Sequence, residues 1–283
     1  MKRIFFLLLT SLMLCLLSIS AKGQSTMEFQ SGTTIEVTND ADICAANISI
    51  SGTYFGNGTK CGGTLFIPAN AKIFFQGPYS SGSMTTTLNS SGLIPLTQPY
   101  NTTPWSYTGT ETVASIPAGV VDYVLVELRT GTAAGTKVAS RAGFVKSTGA
   151  IVDLDGTDQL RFNVSEGSYY MVVRHRNHLA IMSAAAVALS AASALYDFTT
   201  AQTQAYGTNP MKDLGSGVYG MYACDSNKDG QITALDFNTW NANTKAGQVG
   251  YVIDDMNLDG QVTVLDFNPW NANTKLGAAT NVP

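Results

Sequence analysis

Asp225, Asn227, Asp229, Gln231, Thr233 and Asp236 occupy places 1, 3, 5, 7, 9 and 12 of one short segment. Asp255, Asn257, Asp259, Gln261, Thr263 and Asp266 occupy the same places of a second segment thirty residues on. A hard divalent cation of calcium's size takes about six to eight oxygen ligands, and a twelve-residue loop can wrap them around it. Side chains at places 1, 3 and 5 turn inward and place 7 lends a backbone carbonyl. Place 9 gives a hydroxyl or a bridging water, and the carboxylate at place 12 closes the shell. Gly230 and Gly260 fall at place 6, where the loop turns sharply. Solvated Asp/Asn/Gly turns are the other reading. Three carboxylates drawn to about 4.5 Å repel by roughly 3–4 kcal/mol per pair at an effective dielectric near 20. A bound cation removes that cost, so the spacing predicts two calcium ions.

Residues 225–247 and 255–277 agree at 17 of 23 positions, which marks one duplicated unit. Each loop runs into Leu-Asp-Phe-Asn-x-Trp-Asn-Ala-Asn-Thr-Lys (235–245 and 265–275), which predicts a short helix, and no matching helix precedes the first loop. Each unit therefore reads as half an EF-hand, with Asp in place of the usual Glu at place 12. The tandem pair resembles the type I dockerin module over 221–277, within a module placed at 218–278. That resemblance implies a non-catalytic docking module that holds two calcium ions and binds a cohesin-like or other extracellular protein. It also implies a setting in polysaccharide breakdown. Dockerins often carry hydroxyl residues at loop places 10 and 11. Here Ala234-Leu235 and Val264-Leu265 stand there, so the implied partner surface is more apolar.

Ile232 and Val262, at place 8, are expected to pack where the two loops pair. Phe237, Trp240, Phe267 and Trp270 recur in register, as a partner face or as the small core between two helices. Proline is tolerated only in a helix's first turn, so Pro269 predicts that the second helix begins near Asp266–Asn268. So small a module would take much of its stability from bound metal.

The chain opens Met1-Lys2-Arg3, continues with an apolar run from Ile4 to Leu17, and reaches Ala21-Lys22-Gly23. This is the pattern of a secretory signal peptide, 1–23, cut before Gln24. Cleavage removes three basic residues and no acids, taking the net charge from −4 to −7. That balance disfavours nucleic acid and anionic membrane as partners. No later segment is apolar enough to span a membrane; the Ala-rich stretch 180–195 comes closest and could be helical by propensity. An extracellular or cell-surface location follows. Cys44 and Cys61 suit a disulfide in an oxidising compartment, and Cys224 is left as a free, partly buried thiol.

Short apolar pulses punctuated by Asn, Gly and Asp predict strands and tight turns over 24–66. Between 67 and 205 the same pattern predicts strands near 73–76, 112–116, 120–128, 138–145, 151–154, 160–164 and 169–175. The fold class expected is mainly β. Antiparallel β-sandwich domain material is followed by a small α-helical dockerin-like module with two EF-hand-type calcium loops. The blocks 98–107 and 173–178 are similar to a segment found beside dockerin-like repeats in large bacterial surface proteins.

No enzyme is expected. His175 and His178, the only histidines, follow a strand and would need another ligand for zinc. Only five glutamates are present, and none stands in a motif that would select a glycosidase pair. Tyr100, Trp105 and Tyr107 could stack on a carbohydrate or cap the β core. The reading is a secreted, non-catalytic attachment or assembly protein. An accessory carbohydrate-binding component of a polysaccharide-degrading complex and a surface adhesin are the alternatives.

Overall fold

The computed structural model describes residues 26–32, 34–37, 42–44, 47–50, 53–56, 59–61 and 66–283. The expected signal peptide, 1–23, lies outside them. Two compact units divide the chain, Met1–Phe66 and Ile67–Pro283.

In the first unit the expected strands are present, but they pair in parallel. Thr26–Phe29 lies beside Asn47–Ile50, Thr34–Val37 beside Thr53–Gly56, and Asp42–Cys44 beside Thr59–Cys61. Each of three consecutive strands thus meets the strand three places later, as in two successive coils of a β-solenoid. A parallel pair needs a long crossover, and here the two intervening strands supply it, which local alternation of residues does not reveal. The register sets Cys44 opposite Cys61. A bond between them rests on side chains outside those described.

The second unit is mainly β, with several antiparallel pairings and few helices. Its main sheet runs in the order Ile151–Val152, Lys137–Lys146, Val120–Arg129, Gly167–Arg174, Ile181–Met182, and Val187–Leu189 joins Gly167–Arg174 further along. All of these neighbours are antiparallel. The central strand, Val120–Arg129, is buried at every residue. That burial follows from its apolar run, and it obliges Asp122, Glu127 and Arg129 to find partners inside the protein. Side chains alternate across a sheet, so Asp122 faces one layer while Glu127 and Arg129 face the other. The chain from Ile67 to Phe75 is largely buried. It pairs at Phe66–Ala69 with Leu160–Asn163 and at Ala71–Lys72 with Tyr196–Asp197.

Two expected strands are reduced to single bridges, and the helix that propensity allowed the Ala-rich stretch does not form. The Ala-rich stretch is extended, with strands at Ile181–Met182 and Val187–Leu189, because the edge of the main sheet offers it hydrogen-bond partners. Segment 112–116 forms only one bridge, Thr112 to Thr97, and 73–76 only one, Phe75 to Met221.

Two helices close the chain, Ala234–Lys245 and Val264–Lys275. Thr233 and Thr263 are the N-caps, and Asp236 and Asp266 complete a capping box on each. The second helix begins at Val264, ahead of the start expected from Pro269, because the capping box sets the first turn. Pro269 then lies in the helix interior, where it cannot bond the carbonyl of Leu265. Replacing it by alanine, Pro269→Ala, should raise stability by about 1–3 kcal/mol in urea unfolding. An unchanged midpoint would mean that the second helix does not continue through this residue.

Among the described residues no helix is long and apolar enough to cross a membrane.

Candidate metal centres

The two loops fold alike because their short polar side chains satisfy the loop backbone. Gly230 and Gly260 take φ of 83° and 87° at the sharp turn, where a Cβ would be strained. Asp225 Oδ1 accepts the Gly230 N–H at 3.3 Å, and Asp255 Oδ2 accepts that of Gly260 at 2.9 Å. Asn227 and Asn257 accept the amides of Asp229 and Asp259, which in turn accept those of Gln231 and Gln261. The carboxylate at place 12 ties the two ends of its loop together. Asp236 takes the amides of Asn227 and Thr233, and Asp266 takes those of Met256, Asn257 and Thr263. Asp suffices at this place because it is also the third residue of the helix.

Gln231 and Gln261 have exposed side chains and can give only their carbonyls. The hydroxyls of Thr233 and Thr263 accept the N–H of Leu235 and Leu265. At place 5, Asp229 and Asp259 are held by the amide groups of Asn227 and Asn257, at 2.7 and 2.9 Å. Among the described residues, no three acidic, histidine or cysteine side chains close to a common metal-binding point.

The charge state of the loops is the telling feature. Asp236, Asp255 and Asp266 are fully buried, and Asp225 is 8% exposed. None of the four forms a salt bridge with a lysine or arginine among the described residues. Burial, then Asp236 and Asp229, pushes the Asp225 carboxyl up to about 7. Burial also lifts Asp255 to about 7, with Arg176 opposing the rise and Asp266 adding to it. Asp236 and Asp266 are raised by burial too. Buried carboxylates without counter-charge are costly. Their surroundings are oxygen-rich and hard, which fits calcium and suits no soft metal.

The loops do not pair with each other at place 8. Ile232 N–H bonds the carbonyl of Ala278, beyond the second helix, and Val262 N–H bonds that of Gln248, beyond the first. Each loop is therefore completed by the chain leaving the other repeat. The aromatics repeat this exchange: Trp240 Nε1 donates to the Thr263 carbonyl at 2.9 Å and Trp270 Nε1 to that of Thr233 at 2.7 Å. Phe237 lies 5.0 Å from Trp270, and Phe267 lies 5.2 Å from Trp240. Of the two readings of these rings, the inter-helix core is the one the geometry realises.

Sequence reasoning missed the group that holds both loops. His175 and His178 are buried. Asp122 accepts from Arg176 Nε at 2.9 Å and from Tyr251 Oη at 2.6 Å, and meets His175 Nε2 at 3.2 Å. Burial alone would raise the Asp122 carboxyl, but Arg176 and His175 hold it down to about 2. Arg176 also donates to the carbonyl of Val252. Asn177 lies between the loops. Its carbonyl accepts the amides of Cys224 and Asp225, and its side chain donates to the carbonyls of Ile253 and Asp255. The first residue of each loop is thus fixed by one asparagine of the β region. Cys224 is a free thiol, fully buried, in a small core with Leu179, Ile232 and Met256.

No protein-family model matches this chain, and no curated protein matches it. Two solved structures that match are type II cohesin–X-dockerin complexes from Acetivibrio cellulolyticus. A C-terminal interface mutant is 19% identical over 53% of this chain and 79% of that chain, with a TM-score of 0.32. An N-terminal interface mutant is 14% identical over 72% of this chain and 94% of that chain, with a TM-score of 0.36.

Proposed function

We propose that this is a secreted, non-catalytic attachment or assembly protein whose C-terminal module binds two calcium ions and docks a protein partner. The observation that carries the reading is the set of four buried carboxylates without lysine or arginine partners, placed in pairs in two oxygen-lined loops. Asp225, Asn227, Asp229, the Gln231 carbonyl and Asp236 would hold one ion. Asp255, Asn257, Asp259, the Gln261 carbonyl and Asp266 would hold the other, with Thr233 and Thr263 each acting through water. An ion would supply the missing positive charge and draw the carboxylates at place 5 away from their asparagine neighbours.

The partner face lies at the helix starts. Leu235, Val264 and Leu265 are 58%, 64% and 55% exposed and recur on the two repeats. They stand at matching places of the two repeats, where exposed apolar side chains offer a partner a surface. An extracellular location rests on the N-terminal signal pattern.

Calorimetric titration of the full chain with calcium should give two ions per chain. Absence of heat, or one ion, would sink the reading. The full chain is the right object because the loops share a core with Leu179 and hydrogen bonds with Asn177. The docking part is tested separately. Leu235→Asp with Leu265→Asp should leave the two-ion titration intact and remove calcium-dependent retention of the partner. Retention by that variant equal to wild type would place the partner elsewhere.

A further inference from the structure

On the face of the central strand opposite Asp122 lies an open cleft of about 330 Å³, lined among others by Trp105, Glu127, Arg129, Lys137 and Arg174. We propose that it binds an anionic sugar, a hexuronic acid residue, through its carboxylate and its flat ring face. The proposal does not rest on the calcium reading, although Lys228 of the first loop packs on the Trp105 ring.

Three cations and one carboxylate give the lining a surplus of positive charge, although the chain as a whole is acidic. Strand pairing sets Leu125 opposite Arg174 and Glu127 opposite Val172, so Glu127 and Arg174 are diagonal neighbours on one face. Glu127 accepts Arg174 Nε at 2.7 Å on one oxygen and Arg129 Nη2 at 3.0 Å on the other. Arg129 is fixed further by the carbonyls of Thr132 and Pro283. Arg174 contributes only Nε to these bonds, and its side chain is 26% exposed. Its planar Nη edge stays available for bidentate donation to a carboxylate. Lys137 is exposed at the rim and adds a second, mobile donor.

The aromatic wall is backed by a fixed ring. Trp105 meets Tyr100 edge-on at 5.0 Å, and Tyr100 is fully buried with its hydroxyl on the Tyr123 carbonyl. Lys228 Nζ lies over one face of the Trp105 ring at 5.1 Å, so a ligand meets the ring surface that lines the cleft. An indole beside a fixed guanidinium suits a pyranose ring bearing a carboxylate. Glu127, held ionised, can accept a sugar hydroxyl on its remaining lone pairs. A simple inorganic anion would have no use for the indole, and an apolar ligand none for the charges. The volume lies at the small end of ligand pockets, which suits one ring or two.

The test is an NMR titration of the calcium-loaded full chain with methyl glucuronide and methyl glucoside, which differ at the C6 carboxylate. Glucuronide should bind about tenfold or more tighter than glucoside, as expected for loss of a charge-assisted hydrogen-bond pair. Arg174→Gln should weaken glucuronide about tenfold while the calcium-induced melting shift stays at its wild-type value. Trp105→Ala should weaken both sugars. Equal binding of the two sugars, displacement by inorganic phosphate at equal concentration, or no binding of glucuronide would each overturn the proposal. Should Trp105→Ala lose the calcium-induced shift, Arg174→Gln and the sugar comparison still decide.

Discussion

Calcium is expected to raise the melting temperature of the wild-type chain, and Asp225→Ala combined with Asp255→Ala is expected to abolish that rise. A ligand that binds only the folded state at about a thousand times its Kd adds about 4 kcal/mol per site. Both substitutions fall at place 1, where each carboxylate also closes the sharp turn through the amide of Gly230 or Gly260. The sign in chelator is equally informative. Burial lifts both carboxyls to about 7 in the folded chain, above the usual carboxylate range. A group raised in this way adds most to stability at low pH and loses that contribution as pH rises through 7. Asp225→Asn with Asp255→Asn, which keeps an acceptor and removes the charge, should therefore make the chelated chain as stable as wild type or more so at pH 8. Differential scanning calorimetry with and without calcium reads both effects. A wild-type calcium shift in the alanine pair would refute the ligand assignment.

Asp122→Ala is expected to cost about 3–5 kcal/mol at pH 7, because it leaves the Arg176 guanidinium buried without its carboxylate. Arg176 is 4% exposed, and its Nη2 already has no partner. The loss should reach the second loop, since Asp122 also holds Tyr251 and Arg176 holds Val252. The acid limb of stability should change as well. Asp122 is held at about 2 in the folded chain, so its contribution is present above the unfolded carboxylate range near 4 and is lost as pH falls through about 2. With about 1.36 kcal/mol per pKa unit, that is about 2 kcal/mol. The buried histidines act in the same direction at higher pH. Burial keeps His175 and His178 below their ordinary value, against the pull of Asp122 on His175. Their share is intact above about 6.5 and falls away as the unfolded chain takes up protons below it. Urea unfolding from pH 8 to pH 2.5, read as the difference between wild type and Asp122→Asn so that the opposing titration of Asp225 and Asp255 cancels, should show the lower acid step in the wild type. Asp122→Asn should lack it, and an unchanged lower step would assign it to other carboxylates.

The loops were legible because their chemistry is local. Places 1 to 12, the left-handed glycine and the capping box all lie within one short segment, and backbone and side chains satisfy one another there. The differences between the repeats also carried information that only structure could interpret. Ser226 and Lys228 in the first loop become Met256 and Leu258 in the second. Met256 and Leu258 are each 1% exposed, and a Cβ added at Gly77 would strike the Met256 carbonyl. The second loop is apolar where it is pressed against the β region. Asp122, His175, Arg176 and Asn177 gave no such signal, because their meeting depends on a strand pairing across about fifty residues and on docking of the repeats. The parallel pairing of 26–61 was hidden for the same reason.

The sequence by itself determined four strands of the central sheet and the two loop–helix units, since each follows from short-range periodicity and spacing. The tertiary structure alone decided that the repeats exchange their closing segments, that Asn177 clamps both loops, and that the two sides of Val120–Arg129 carry different chemistry. Those outcomes depend on which distant groups burial forces together, and an unpaired charge inside the protein accepts only the partner that the fold delivers.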